Sequence, residues 1–456
     1  MFSPIEFKGR TACVIGIGKS GCAAATLLSN NGFSVFLTDS RPLQEIKEFL
    51  HALPDGVKWE SDGPSEAVSR CDFAVKSPGL SHFSAIIKQI HKLNIPIFSE
   101  IEVALAFSKT RQIVAITGTN GKTTTTALTG EIFRRGLPYG QNVYVCGNIG
   151  LPAAKCVTEI NSKDVLVIES SSYQLEDSSF FYPKIAAILN IKPDHIDHHG
   201  SFEKYREAKA RIFRDQTESD FCVFNASDPE TVKLARHCHS QKLFFGGPVE
   251  SSHAWAQSGK IHARLKLTDS PVLFSPPPLP GQHNLENAMA AVLISLSYGL
   301  SLQSIQEGLS NFKGVEHRLE EAGVFRAIRC VNDSKATNVD STLVALEAFS
   351  QFEGKIILIL GGLDKGNPYT PLKPLIAKLV KSVLTIGSAA KKIEDELQGV
   401  RPLSHCETLE KAVQKSFEIA KEGDIILLSP ACASFDQFEN FEDRGIQFKK
   451  ILRQYA

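Results

Sequence analysis

The 456-residue sequence predicts an α/β protein of three domains: a Rossmann-like N-terminal domain, a central mononucleotide-binding domain of the P-loop type and a C-terminal Rossmann-like domain. Three observations predict this class. Short apolar runs alternate with helical stretches along the chain. In two of these cycles the first strand runs into a Gly-rich turn. The length suits about three domains of roughly 150 residues each, and we expect them at residues 1–107, 108–313 and 314–456.

The first cycle begins with the apolar run TACVIGIG, continues through an Ala-rich stretch at 22–28 and ends with SVFLTD at Asp39. Its turn, GIGKSG at 16–21, has the context of a nucleotide fingerprint, because glycines let the backbone approach a diphosphate at a helix N-terminus. The motif is only moderately specific. It is compatible with NAD or FAD, with another nucleotide, or with a purely structural turn.

The second cycle carries a stronger phosphate signal in AITGTNGKTTTT at 115–126. Here a strand turns into a helix, so that backbone N–H groups, the Lys122 ammonium and the Thr123 hydroxyl converge on phosphate and Mg²⁺. The motif departs from the standard Walker A pattern, because Ile116 stands where that pattern has glycine. A simple helix cap is the alternative. Two phosphate turns on one chain are unusual for a dehydrogenase and natural for a ligase that joins a nucleotide-linked substrate using ATP.

The remaining cycles have strand-like runs separated by helical stretches. In the central domain these runs are DVLVIES, KIAAILNI and DFCVFNASD, and in the C-terminal domain they are IRCVNDS, GKIILILGG, SVLTIGS and DIILLSPA. Residues 246–280 are polar and end in three consecutive prolines, which predicts a loop or small hairpin insertion. The uncharged stretch 287–306 contains several polar residues, so it favours a buried core helix over a membrane span.

The amino-acid composition argues against nucleic acid and membranes as binding partners. Fifty Lys plus Arg balance fifty Asp plus Glu, which excludes the basic footprint expected of a nucleic-acid or anionic-membrane binder. The ten cysteines show no Cys-x-x-Cys pair and are expected to be reduced and buried. The N-terminal segment lacks the pattern of a secretory signal. We therefore expect a cytoplasmic protein, monomeric and without membrane insertion, that acts on small molecules.

Carboxylates and histidines follow two strand-like runs of the central domain. Glu169 ends DVLVIE and is the candidate Mg²⁺ ligand, since parallel strands present ligand-binding groups at their carboxyl ends. In ILNIKPDHIDHHG, the residues Asp194, His195 and Asp197 suit a second cation or a phosphate contact.

The other histidines and Lys209 are not predicted as ligands from the sequence pattern. A metallohydrolase using His195, His198 and His199 is disfavoured, because no complementary His-x-Glu or Cys pair follows. His198 and His199 are expected in an exposed loop, and the His-Cys-His at 237–239 at a solvated helix end. Lys209 lies in a helical stretch and is expected, from this pattern alone, to be solvated.

The order of these motifs resembles the Mur ligase family. The resemblance rests on TGTNGKTT, GNIGLP, ESSSYQLE, LNIKPDHIDHH, YREAKARI, GQHNLENAMAA, VEHRLE and LGGLDKGN, and it covers residues 12–445. NDSKATN followed by SPACASFDQFENFEDRG is similar to the D-glutamate-adding branch. The resemblance implies ATP-dependent ligation of D-glutamate to UDP-N-acetylmuramoyl-L-alanine through an acyl phosphate, in peptidoglycan precursor synthesis.

The resemblance also implies site residues. It assigns UDP to Gly18, Lys19, Ser20, Asp39, Ser40, Arg41 and Asn148. It assigns ATP to Gly118, Thr119, Asn120, Gly121, Lys122, Thr123, Thr124, Asn287, Arg318 and Asp333. It assigns D-glutamate to Thr337, Lys365, Ser434, Phe435 and Phe441, with core packing as the alternative for the two phenylalanines.

The implied cofactors are ATP and two Mg²⁺ ions held by Thr123, Glu169, His195 and Lys209. In the family the lysine of YREAK is carbamylated, whereas a plain Lys209 ammonium that neutralises acyl-phosphate charge is the alternative. The implied catalytic set is Lys122, Glu169, His195, Lys209, Lys335 and Lys365. Two other functions stay open: another Mur-type or folylpolyglutamate-type amide ligase, and a nucleotide-binding dehydrogenase or regulator.

Overall fold

The protein is described here by a computed structural model covering residues 1–80, 84–148 and 150–455. The chain divides into two compact units, Met1–Pro277 with Leu285–Phe312, and Pro278–Asn284 with Lys313–Ala456. The first unit holds two sheets and the second holds one. The mixed α/β architecture with three sheets confirms the predicted fold class. The two predicted boundaries between the three domains stay a prediction.

The first sheet is fully parallel, with strand order 3-2-1-4-5. Its strands are β1 (Thr11–Ile15), β2 (Ser34–Thr38), β3 (Lys58–Glu60), β4 (Phe73–Lys76) and β5 (Ile97–Ser99). The helices are α1 (Lys19–Asn30), α2 (Leu43–Leu50), α3 (Ala85–Lys92) and α4 (Glu100–Phe107), with a 3₁₀ turn at Glu66–Arg70. Apolar side chains on both sheet faces are buried, as expected for a doubly wound sheet.

The second sheet has nine strands in the order 14-13-12-11-10-9-6-8-7. The strands are β6 (Gln112–Thr117), β7 (Val143–Gly147), β8 (Val165–Glu169), β9 (Ile185–Ile188), β10 (Phe221–Asn225), β11 (Gln241–Phe245), β12 (Ala254–Gln257), β13 (Lys260–Ala263) and β14 (Val272–Phe274). β13 pairs antiparallel with both β12 and β14, so the segment predicted at 246–280 as a loop or small hairpin contains a short three-stranded antiparallel extension of the sheet.

Eight helices of the described chain accompany this sheet. They are α5 (Lys122–Gly136), α6 (Ala153–Glu159), α7 (Ser172–Glu176), α8 (Ile196–His199), α9 (Phe202–Arg214), α10 (Pro229–Ala235), α11 (Gln282–Tyr298) and α12 (Leu302–Asn311), with a 3₁₀ turn at Val249–Ser251. The uncharged stretch lies largely in α11, whose apolar residues from Ala288 to Ile294 are buried. No helix of the described residues is long and apolar enough to cross a membrane.

The third sheet has six strands in the order 15-16-20-17-18-19, and only β15 is antiparallel. The strands are β15 (Glu320–Phe325), β16 (Ile328–Asn332), β17 (Ile356–Gly361), β18 (Val380–Ile386), β19 (Leu403–Glu407) and β20 (Ile425–Leu428). The helices are α13 (Val339–Ala348), α14 (Lys373–Leu379), α15 (Ala390–Leu397), α16 (Leu409–Ile419) and α17 (Phe441–Leu452), with 3₁₀ turns at Thr370–Leu372 and Arg453–Tyr455.

Buried polar contacts join the two sheets of the first unit. Lys76, at the end of β4, forms a 2.6 Å ion pair with Asp177, which follows α7, and both side chains are almost fully buried. Glu102 of α4 accepts a hydrogen bond from the Ser179 backbone N–H at 2.7 Å. Glu100 accepts one from the Ala154 N–H at 2.6 Å. Breaking a buried pair of this kind costs several kcal/mol, so these contacts make the first two sheets one unit.

Candidate active site

The predicted phosphate loop lies between β6 and α5, where the strand ends and the chain turns. Gly118 has φ +159° and Gly121 has φ +84°, and a Cβ at Gly121 would lie 2.3 Å from Asn287 Oδ1. The Asn120 N–H donates to Asn190 Oδ1 at 2.8 Å, which braces the loop against the segment after β9. Only glycine fits position 121, and the close approach brings Asn287, one of the predicted ATP contacts, onto the loop.

Two lysines converge on one carbonyl of this loop. Lys122 Nζ donates to the carbonyl oxygens of Gly118 and Thr119, each at 2.8 Å. Lys209 Nζ reaches the same Gly118 oxygen, also at 2.8 Å. Burial and then the nearby Lys122 charge hold the pKa of Lys209 well below its usual range. Two lysine side chains therefore meet at one carbonyl oxygen, and the positive charge of Lys122 disfavours a second positive charge on Lys209.

Lys209 is 1% exposed, so the prediction that it is solvated is wrong. In α9 the buried positions are Tyr205, Ala208, Lys209, Ile212 and Phe213. This i, i+3, i+4, i+7, i+8 spacing is the apolar face of an amphipathic helix. The spacing alone signals that Lys209 faces inward. Its ammonium also lies 4.7 Å from the Tyr205 ring centroid.

Glu169 ends β8 next to this loop and is 1% exposed. Its Oε1 accepts a hydrogen bond from Asn148 Nδ2 at 2.8 Å, whereas its Oε2 is buried without a hydrogen-bond partner. A buried, unsatisfied carboxylate oxygen is costly unless a cation binds it. The donor set therefore fits a hard divalent cation held by Glu169 and the Thr123 hydroxyl at the start of α5.

His195 precedes α8 in a left-handed conformation, with φ +52°. Its Nε2 lies 3.4 Å from Asp194 Oδ2. Burial lowers the pKa of His195, although the Asp194 carboxylate opposes the shift, so the neutral imidazole that a metal requires is favoured.

The histidines after His195 differ from the prediction. His198 and His199 lie on α8 and are buried, at 9% and 3% exposure, so the expectation of an exposed loop is wrong. They face Glu176 of α7, and the two rings flank Tyr173. His237 and His239 are exposed, as predicted.

The first Gly-rich turn is built around Asp39. Its two oxygens accept from the backbone N–H groups of Ile17, at 2.7 Å, and Arg41, at 2.9 Å. The Arg41 guanidinium also binds both oxygens. Burial opposes ionisation, but the Arg41 and backbone hydrogen bonds outweigh it and hold the pKa of Asp39 below its usual value. Both carboxylate oxygens are thus engaged within the chain, and Asp39 orients Arg41 beside the turn.

The turn itself is compact. A Cβ at Gly21 would lie 1.9 Å from the Gly16 carbonyl oxygen, which makes glycine necessary there. Gly18 is the N-cap of α1, where Lys19 and Ser20 form the first turn. Lys19 and Ser40 are exposed, and Ser20 and Arg41 are half-buried.

In the second unit, Asp333 follows β16 and is buried. Its Oδ2 accepts from Ser429 Oγ at 2.8 Å and its Oδ1 from the Leu319 N–H at 3.2 Å, next to Arg318. Burial raises the pKa of Asp333 to about 7. Lys335 Nζ lies 4.2 Å from the Phe441 ring centroid, which brings together two residues that were predicted for the active site.

Arg444 organises this part of the second unit and was not singled out from the sequence. Its guanidinium is fully buried and donates to Ser334 Oγ at 3.0 Å, Ser334 O at 2.8 Å and Cys432 O at 3.1 Å. It thereby ties the NDSK segment to the SPACASF segment. The sequence did carry a signal for it, because Arg444 belongs to the motif SPACASFDQFENFEDRG, in which Ser434, Phe435 and Phe441 were assigned to D-glutamate.

The predicted D-glutamate residues have different environments. Ser434 is buried and Phe441 and Thr337 are half-buried, whereas Lys365 and Phe435 are exposed. Phe435 is 69% exposed, so it does not pack in the core.

The fold and these contacts define a nucleotide-dependent α/β enzyme with two phosphate-type turns and a buried carboxylate and lysine in its first unit. The match to known families is specific. Three family models match in order: the MurD N-terminal domain at 11–86, the Mur ligase middle domain at 116–295, and the Mur ligase glutamate ligase domain at 317–432.

Two relatives align over nearly the whole chain, and both are named UDP-N-acetylmuramoylalanine–D-glutamate ligase. The protein of Elusimicrobium minutum is 48% identical over 99% of this chain and 100% of the relative. That of Koribacter versatilis is 43% identical over 99% of both chains. The chain therefore belongs to the Mur ligase family, in the group of these D-glutamate ligases.

Solved structures agree at the level of the fold. The UDP-N-acetylmuramate–alanine ligase of Thermotoga maritima has a TM-score of 0.62 at 21% identity, covering 98% of this chain and 100% of that one. A MurF ligase of the same organism, solved with ADP, has a TM-score of 0.60 at 17% identity, covering 93% of this chain and 96% of that one.

Proposed function

We propose that the protein ligates D-glutamate to UDP-N-acetylmuramoyl-L-alanine with ATP, releasing ADP and phosphate, in peptidoglycan precursor synthesis. The names of the full-length relatives support the substrates. The observation that carries the chemistry is the convergence of Lys122 and Lys209 on the Gly118 carbonyl, beside the unsatisfied Glu169 oxygen.

The reaction needs activation because a carboxylate is a poor electrophile. A carboxylate oxygen of the substrate attacks the γ-phosphorus, the bond to the β-phosphate oxygen breaks, and ADP leaves. The D-glutamate amine then attacks the acyl carbon, the C–O bond to phosphate breaks, and the amine loses its proton. The protein mainly aligns these groups and neutralises charge. Lys122 would stabilise the charge of the transferred phosphoryl group.

Mg²⁺ would be held by Thr123 and Glu169 at one site and by His195 and Lys209 at the other. When bound, it supplies charge neutralisation for phosphate and carboxylate oxygens. The supporting features are the unsatisfied Glu169 Oε2 and the lowered pKa of His195.

We propose that Lys209 is carbamylated. Carbamate formation requires a neutral amine, because the nitrogen lone pair attacks CO₂. The burial of Lys209, and then the nearby Lys122 charge, lower its pKa and so favour that neutral form. The product is an anionic oxygen ligand that would offset the Lys122 charge.

A carbon-13 NMR experiment tests the modification. Protein equilibrated with ¹³C-bicarbonate is expected to show one carbamate carbon signal, and Lys209→Arg, which stays cationic, is expected to lack it. A spectrum of the unsubstituted protein without that signal would contradict the carbamate and show that Lys209 is an unmodified lysine.

The remaining assignments extend the proposal to the other ligands. We assign the UDP moiety to Gly18, Lys19, Ser20, Asp39, Ser40, Arg41 and Asn148. We assign ATP to the loop residues 118–124 with Asn287, Arg318 and Asp333, and D-glutamate to Thr337, Lys365, Ser434, Phe435 and Phe441. Lys335 and Lys365 complete the proposed catalytic set. A cytoplasmic monomer is the proposed form, and the ten free, buried cysteines support a reducing compartment.

Phosphate release with UDP-N-acetylmuramoyl-L-alanine tests the function. D-Glutamate is expected to stimulate release more than L-glutamate, L-alanine or meso-diaminopimelate, and a preference for any of these would contradict the assignment. Lys122→Ala is expected to lower turnover by about 100- to 1000-fold, since it removes a preorganised cation from the phosphoryl group. Near-normal turnover in that variant would refute the phosphate-loop interpretation.

A further inference from the structure

The central domain contains a largely buried cluster of imidazole and carboxylate groups that has no role in the proposed ligase reaction. Glu176 ends α7, and His198 and His199 end α8. Each offers one ligand atom, and these atoms all lie within 4.8 Å of one another. His198 Nε2 is 3.2 Å and His199 Nδ1 is 3.3 Å from Glu176 Oε2.

These separations match the edge of a small metal tetrahedron. Zn–N and Zn–O bonds of about 2.0–2.1 Å in tetrahedral geometry place neighbouring ligand atoms about 3.3 Å apart. The two distances to Glu176 Oε2, which are also those of an imidazole–carboxylate hydrogen bond, are therefore compatible with the spacing of Zn²⁺ ligands.

The environment of His199 gives a second, independent indication. The residue is 3% exposed, and its Nδ1 is a buried nitrogen without a hydrogen-bond partner that lies 3.3 Å from Glu176 Oε2. Its other nitrogen, Nε2, lies 3.0 Å from Ser172 Oγ. A histidine that ligates a metal through one nitrogen usually has its second nitrogen fixed by a hydrogen bond of this kind.

The ligand types distinguish this cluster from the proposed Mg²⁺ site. Mg²⁺ prefers hard oxygen ligands such as Glu169 and Thr123. Two imidazoles with one carboxylate suit Zn²⁺ and are a frequent three-ligand set for that ion. Tyr173 lies between the cluster and the proposed Mg²⁺ ligand His195. Its ring centroid is 4.1 Å from that of His198 and 5.0 Å from that of His195.

We propose that Glu176, His198 and His199 bind one Zn²⁺ ion, with Ser172 as the positioning residue of His199. The ion would tie α7 to α8. These two helices follow the segments that carry Glu169 and His195, so the ion would fix both segments relative to each other. This proposal does not depend on the identity of the ligase substrates.

Metal titration of the full-length protein in excess Mg²⁺, which occupies oxygen sites, tests the proposal. Zn²⁺ is expected to bind once per chain and to raise the melting temperature. Co²⁺ in its place is expected to give the strong visible absorption of tetrahedral coordination. Glu176→Gln, which keeps the shape of the side chain, is expected to weaken Zn²⁺ binding by about 100-fold, and Ser172→Ala by about 10-fold.

His237→Ala is the matched control, because His237 is an exposed histidine of the same domain, and it should bind Zn²⁺ like the unsubstituted protein. Melting temperatures without metal show whether each variant is folded. Absence of a stoichiometric site, octahedral Co²⁺ spectra, or equal affinity in Glu176→Gln and the unsubstituted protein would each overturn the proposal. These outcomes are independent of phosphate release.

Discussion

Polar groups at one edge of the central sheet carry the proposed chemistry. Lys122 and Lys209 share the Gly118 carbonyl, and Glu169 keeps one carboxylate oxygen unsatisfied on the neighbouring strand. That buried oxygen is costly in the absence of a cation. A divalent cation bound there would also neutralise phosphate charge, so the binding of ATP and metal is expected to be mutually favourable.

Asp333 gives a prediction at the residue scale. Its pKa of about 7 lies above the ordinary value of 3.8, so the folded state binds a proton that the unfolded state releases between those two values. Stability is therefore expected to fall as pH rises from 5 to 7, by about 2 kcal/mol from this residue.

The measurement is denaturant unfolding at pH 5 and pH 7. Asn cannot ionise, so Asp333→Asn should remove the part of the pH dependence that Asp333 causes. The part caused by Glu100 should remain, because burial raises the pKa of Glu100 to about 7 as well. An unchanged pH dependence in Asp333→Asn would show that Asp333 is ionised throughout this range.

The residue scale also shows where sequence reasoning succeeds. Lys122 and Glu169 could be predicted because strand, turn and helix signals adjoin them. The burial of His199 could not be predicted in the same way, because α8 has only four residues and shows no helical pattern of apolar positions. The burial of Lys209 was missed although the helical spacing of its apolar neighbours indicates it.

At the element scale, the turn between β6 and α5 depends on backbone geometry. Gly121 combines a positive φ with contact to Asn287, whereas Gly140 has nearly the same φ, +82°, with open space around its Cβ position. Substituting alanine at each of these two glycines therefore separates the free-energy cost of a positive φ from the cost of a steric clash with Asn287.

Gly121→Ala is expected to lower ATP affinity by about 10- to 100-fold, because the new methyl group displaces Asn287 and distorts the loop. Gly140→Ala is the control, and it should lose about 1 kcal/mol of stability with unchanged ATP affinity. Isothermal titration with ATP and Mg²⁺ measures both variants. Equal affinities would show that the loop tolerates a side chain at position 121.

Central strands were easier to predict than edge strands. The strands β6, β8, β9 and β10 are apolar on both faces and were all predicted as continuous apolar runs. By contrast, β7 and β15 lie at sheet edges and are only partly buried, so their sequences lack that signal.

At the scale of the whole molecule, zero net charge coexists with substrates rich in phosphate and carboxylate. In the proposed reaction these charges would be met locally, by Lys122 in the first unit and by Arg318 and Lys335 in the second. Length, composition and motif order predicted three α/β parts in series. Only the structure shows that buried contacts such as Lys76 with Asp177 join the first two sheets into one unit.

The central claim is that the substrate carboxylate is phosphorylated before the amide forms, and isotope transfer tests it most directly. UDP-N-acetylmuramoyl-L-alanine labelled with ¹⁸O in the alanine carboxylate is incubated with ATP, Mg²⁺, D-glutamate and the enzyme. The account predicts that the released phosphate carries one ¹⁸O atom per turnover, detected by mass spectrometry. Phosphate without the label, formed alongside the amide product, would contradict it.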